Sequence, residues 1–128
     1  MRSISVSPVR GVMENRRAHR LRIEIPATFK VSKNQEHISI ATTVDVSALG
    51  LCLQTKETLR AGQELALTLK LPNQEKVNLN AVVVWFRTAD FSLGGEYTAG
   101  IKLTESPKDE EVKFIKFYVS KLMEFYKQ

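Results

Sequence analysis

Two polar clusters in this chain have residue types and spacing that could hold a ligand. The first is Arg16-Arg17-Ala18-His19-Arg20, with two arginines four positions apart. The second is Asp45-Val46-Ser47-Ala48-Leu49-Gly50. A guanidinium is a planar fork of donors, suited to paired acceptors and to stacking. Asp45 and Ser47, two apart on an alternating segment, share one face of a strand. Gly50 follows where the chain turns, and a residue without Cβ allows positive φ or close approach to the backbone. Carboxylate, hydroxyl and bare backbone form a small patch of acceptors and donors. By itself that patch reads equally as an ordinary turn, with Asp and Ser bonding their own backbone.

Strand-like alternation must position these groups. Leu21, Ile23, Ile25, Ala27, Phe29 and Val31 form an inward set, and Pro26 on the outer set marks an edge or a bulge. The next strand runs from about His37 to Val46. Its inward face reads as Ile38, Ile40, Thr42, Val44 and Val46, with Ser39, Ala41, Thr43, Asp45 and Ser47 outside. Leu51 and Leu53 belong to a short third strand, and Leu65, Leu67, Leu69 and Leu71 line a fourth that Pro72 ends. Lys76 to Arg87 is a fifth, apolar on both faces in its second half, so that one face needs a cover. Gly94-Gly95 marks a hairpin loop, and Tyr97 to Leu103 is the last strand.

A helix follows at about 107–127. Ser106 is read as its cap, Pro107 as its first residue and Asp109 as the acid of the first turn. Val112, Ile115, Val119, Leu122 and Tyr126 make one stripe, widened by Phe114, Phe117, Tyr118 and Phe125. This stripe is expected to cover Val82, Val84 and Phe86, and its surplus aromatics leave room for a partner surface. The expected fold is mostly β: a six-stranded antiparallel barrel of about residues 21–104 with a C-terminal α-helix packed on it. Residues 1–14 lack periodicity and read as a flexible tail.

An Arg-x-x-x-Arg pair before the first strand, followed by Asp-x-Ser-x-x-Gly closing the second, resembles the PilZ domain. That family consists of bacterial receptors for cyclic di-GMP, some of them acting in motility or biofilm regulation. The resemblance covers about residues 15–128, with 15–20 as the arginine switch segment. It implies cyclic di-GMP as ligand, an unidentified protein effector as partner, and no cofactor or metal. Guanine presents O6 and N7 as adjacent acceptors for an arginine fork, and its N1–H and N2 amino group suit a carboxylate. On this resemblance Arg16 and Arg20 grip guanine edges, and Arg17 reaches phosphate or a second nucleotide. Asp45 and Ser47 contact a guanine and a phosphate or water, and Gly50 shapes the turn. Trp85 either stacks on a base or packs in the core beside Val83. Asn15, preceding the first arginine, leaves room for a stacked pair of ligand molecules. Residues from about 14 to 21 are expected to clamp down on the ligand.

The chain has 128 residues, 43% hydrophobic and 26% charged, which fits one globular domain. Its net charge is +5, with the excess among Arg2, Arg10, Arg16, Arg17, Arg20 and Arg22, so an anionic partner is expected. The alternatives to a nucleotide receptor are a PilZ-like module whose basic arm binds nucleic acid, and a nucleotide-independent pilus or flagellar adaptor. Fixed spacing and an acidic partner patch count against the nucleic-acid arm. No membrane span or signal peptide is evident, and a single cysteine, Cys52, fits a cytoplasmic location. Enzyme chemistry is not expected. His19 and His37 have no ligand-spaced partners, Cys52 has no base, and no phosphate loop is present.

Overall fold

The computed structural model describes residues 20–31, 36–88 and 96–127. The tail at 1–14, the arginines at 16 and 17 and the Gly94-Gly95 loop lie outside them. Alternating apolar residues build six strands: β1 (Pro26–Lys30), β2 (Ser39–Val46), β3 (Gly50–Thr55), β4 (Glu64–Lys70), β5 (Lys76–Arg87) and β6 (Tyr97–Leu103). They pair antiparallel throughout and close into a barrel in the order β1-β2-β3-β6-β5-β4. Phe29, Leu51, Leu53, Leu67, Leu69, Val77 and Val83 fill the interior. Pro26 stands at the first residue of its strand, where a missing N–H is tolerated; closure leaves no edge.

The inward face expected for β2 is out of phase over most of its length. Ser39, Ala41 and Thr43 are buried, whereas Ile38 and Ile40 are exposed, Ile40 by 77%. The register against β3 shifts between Thr43 and Asp45. A bulge inserts one residue, so reading alternation backwards from buried Val46 assigns the wrong face before it. A second register shift lies between Val83 and Trp85 in β5, opposite β6.

The helix, α1 (Lys108–Tyr126), packs against β5 but leaves Val84 of the expected apolar set exposed, with Val82 and Phe86 half-buried. Antiparallel pairing puts the starts of β1, β3 and β5 and the ends of β2, β4 and β6 at one barrel end. The helix follows β6 and closes that end, inserting Phe114 and Tyr118 into the barrel core. The start signal also works differently. Pro107 occupies the cap position without a side-chain bond. The Ser106 hydroxyl accepts from the Asn80 N–H (2.8 Å), and Glu111, not Asp109, accepts from the Ser106 N–H (2.9 Å).

Glu110 fastens the helix to β5. Its carboxylate accepts from the Asn78 N–H (2.7 Å) and pairs with Lys113 Nζ at 3.0 Å, and Lys113 also donates to the Lys76 carbonyl. The Asn78 bond, and then Lys113, hold the Glu110 carboxyl below its ordinary range. Ionised Glu110 makes these contacts only in the folded chain. Its stabilisation is therefore present above the unfolded glutamate range and lost as the pH falls through the lowered folded value. Glu110→Gln should be less stable than the parent at neutral pH in urea unfolding, with the gap narrowing as the pH falls below the ordinary glutamate range. A gap independent of pH would show that the ionised carboxylate is not the stabilising species.

Candidate functional site

The segment leading into β1 is tied to β2 by two devices. Leu21 and Val46 exchange backbone bonds, Leu21 N–H to the Val46 carbonyl at 2.8 Å and Val46 N–H to the Leu21 carbonyl at 2.9 Å. Thr43, 1% exposed, accepts from the Ile25 N–H through Oγ1 (2.8 Å) and donates to the Ile23 carbonyl (2.5 Å). Both devices hold Leu21 against the end of β2. Arg20, the next residue outward, then meets Asp45: Nη1 lies 2.5 Å from Oδ1. Asp45 is only partly exposed, while the Arg20 side chain is 55% exposed and binds Asp45 through one nitrogen, leaving other donors of the fork facing solvent.

From Asp45 a row runs across four strands. Asp45 is registered with Cys52, Cys52 with Gly100, and Gly100 with Trp85. Leu51 and Leu53 are fully buried in the core, so Cys52 between them points outward. It is nonetheless nearly inaccessible. Burial, and then the Asp45 charge, push its thiol up, while Arg20 and Arg87 oppose this. A Cβ on Gly100 would stand 2.2 Å from the Trp85 Nε1, so the indole lies directly over this glycine. Trp85 is therefore not the core residue that its spacing from Val83 allowed. The bulge places it on the outer wall, with the Arg87 guanidinium 4.6 Å from its ring centroid. The outer face thus carries Arg20 and Asp45 at one side, small Cys52 in the middle, and Trp85, laid over Gly100, with Arg87 at the other.

Ser47 does not project beside Asp45. It is buried, and its hydroxyl serves the β2–β3 turn, accepting from the Leu49 and Gly50 N–H groups (3.3 and 3.2 Å) and donating to the Gly50 carbonyl (3.0 Å). Gly50 is needed for close packing: a Cβ there would lie 2.3 Å from the Ile101 carbonyl oxygen of β6. The structure pairs Arg20 with Asp45 and sets Trp85 at the far end of the same outer row, while Ser47 and Gly50 frame the β2–β3 turn next to Asp45. Arg16 and Arg17 fall outside the described residues. Cys52, Arg87 and Gly100 were not singled out as site residues. Only the pairing of β3, β5 and β6 joins them to Asp45, and no local motif carries that information. Among the described residues no cluster of His, Cys, Asp and Glu could hold a metal, and no helix is long and apolar enough to cross a membrane.

A closed antiparallel barrel with an end helix and a polar, aromatic outer shelf is the plan of a small binding domain. The PilZ domain family model matches residues 14–120, and the chain belongs to that family, whose members are regulatory binding domains. No curated protein matches the sequence. Among solved structures, the Bacillus subtilis inhibitor of motility MotI/DgrA is 12% identical with a TM-score of 0.68, over 84% of this chain and 51% of that one. K. pneumonia MrkH in complex with c-di-GMP is 19% identical with a TM-score of 0.69, over 86% and 52%. The PilZ domain of Escherichia coli YcgR with c-di-GMP is 15% identical with a TM-score of 0.64, over 89% and 96%. At these identities the likeness is one of fold. The chain spans about half the length of MotI and of MrkH.

Two substitutions test the construction of the shelf. Thr43→Val keeps the shape but strands the buried Ile25 N–H and frees the segment that carries Arg20. It should cost about 1–3 kcal/mol in chemical denaturation; a neutral outcome would mean that Thr43 does not hold the segment. Gly100→Ala should displace the indole and shift the emission of Trp85, the chain's single tryptophan. It should also lower stability by about 1–3 kcal/mol. Unchanged emission would place the indole elsewhere.

Proposed function

We propose that this chain is a cytoplasmic receptor for cyclic di-GMP that passes the signal to a protein partner. The Arg20–Asp45 pair, standing at one side of a shelf that ends in Trp85, carries the reading. Three interstrand spacings separate Asp45 from Trp85, about 14 Å. Between them the Trp85 indole lies over Gly100, beside the small Cys52, and gives the shelf a flat aromatic floor. The free donors of Arg20 fit the O6 and N7 acceptors of guanine, and Asp45 orients that fork while its second oxygen can accept from the N1–H edge. Trp85 supplies a face for a base, and Arg87 a cation for phosphate. Arg16 and Arg17, outside the described residues, are the motif's further donors for the same ligand. Ser47 and Gly50 contribute by holding the turn that sets Asp45.

MrkH is described as a c-di-GMP-dependent transcription regulatory factor, so nucleic acid belongs in the test as a competing ligand. Calorimetry should show binding of cyclic di-GMP and far weaker binding of cyclic di-AMP, which lacks the O6 acceptor. Arg20→Ala should weaken binding by about 5- to 150-fold, the equivalent of about 1–3 kcal/mol. Arg10→Ala, outside the motif spacing, should change little. Preference for a single-stranded oligonucleotide, with equal losses at Arg10, Arg16 and Arg20 that salt abolishes, would instead identify a basic nucleic-acid arm.

A further inference from the structure

The helix α1 carries a second apolar stripe, along a flank that the barrel leaves exposed. Successive residues turn by 100°, so Phe114 and Tyr118, the residues buried in the core, define the inward face. Val112, Ile115, Val119 and Met123 lie about 80° to 160° round from that face and are between 40% and 58% exposed. Their spacings of three, four and four are those of a seam along which one helix packs on another. Scattered apolar residues on a surface are ordinary, but a contiguous row of four marks an interaction surface.

The charges beside this stripe select the occupant. Asp109 and Lys127 project along the same edge of the helix, one at each end. Neither has an ion-pair partner among the described residues. A second copy of the helix, packed antiparallel about a two-fold axis, brings this edge against itself with the sequence reversed. Asp109 of each copy then faces Lys127 of the other. The apolar residues obey nearly the same centre: with Val119 on the axis, Ile115 meets Met123 and Val119 meets itself. The charge pair and the stripe agree to within one residue. A parallel pair would instead oppose Asp109 to Asp109 and Lys127 to Lys127.

The geometry points to a second copy of this chain as the partner of this stripe, in an antiparallel homodimer with Val119 at the two-fold axis. The inference does not depend on the ligand reading. A seam of one short helix is small against the area of a stable interface, so the dimer is concentration-dependent.

Cysteine cross-linking on the full chain tests both the association and its direction. Native Cys52 is buried, and the parent chain is the control. Val119→Cys should form a disulfide-linked dimer by itself. Ile115→Cys and Met123→Cys should each fail alone but cross-link when mixed. In the antiparallel arrangement two copies of position 115 lie about 12 Å apart along the seam, beyond the reach of about 7 Å between Cα atoms that a disulfide allows. Sedimentation equilibrium of the parent should show a mass rising with concentration towards the dimer. Val119→Glu, which opposes two carboxylates across the axis, should remain monomeric with an unchanged thermal melt. A parent that stays monomeric at its highest attainable concentration overturns the inference, as does self-linking of Ile115→Cys as efficient as that of the mixed pair.

Discussion

A strand can show each residue to only one side of the sheet, and a closed barrel enforces that choice along every strand. Both sides of the candidate shelf depend on breaking the rule once. In β2 the phase shifts between Thr43 and Asp45; in β5 it shifts between Val83 and Trp85. Thr43 and Val83 are core residues, and the residue after each shift faces out. Two bulges on strands separated by β3 and β6 therefore deliver Asp45 and Trp85 to the two sides of one outer row. Bulges bend a strand and re-aim side chains, and here each one stands immediately before a shelf residue.

The same bulges limited what periodicity could reveal. The interior sets of β1, β3 and β4 and the number of strands were legible, because those segments keep one phase from end to end. In β2, Ile38 and Ile40 had the chemistry of interior residues, while Ser39, Ala41 and Thr43 had that of exterior ones, and the opposite holds. Small residues suit the interior there, and Thr43 satisfies its hydroxyl on the Ile23–Ile25 backbone instead of with water. The motif residues were legible as a set but not in their roles. Asp45 faces the shelf, whereas Ser47 and Gly50 act on the turn, one through hydrogen bonds and the other through the space a missing Cβ leaves for the Ile101 carbonyl. Cys52, Gly100 and Arg87 join the site only through long-range pairing, which no window along the chain contains.

The helix shows a related limit. Its apolar residues form more than one face, and composition alone does not say which face the barrel takes. Topology decides it. The chain leaves β6 at the barrel end that also receives the starts of β1, β3 and β5, so Phe114 and Tyr118 close that opening, and the outer wall at Val84 stays bare. Val112, Ile115, Val119 and Met123 are then left exposed along one flank.

This closure links the helix to the shelf. Leu21, whose backbone bonds to Val46 hold Arg20 at Asp45, is buried in the same cluster as Phe114 and Tyr118. Protein interiors are close-packed, and such packing transmits displacement instead of absorbing it. A ligand that pulls on Arg20 therefore acts, through Leu21, on the core into which the helix is seated. A neighbouring flank of that helix carries the apolar stripe. Any occupant of the stripe that favours one seating of the helix over another must alter ligand affinity by the same factor by which ligand alters its own.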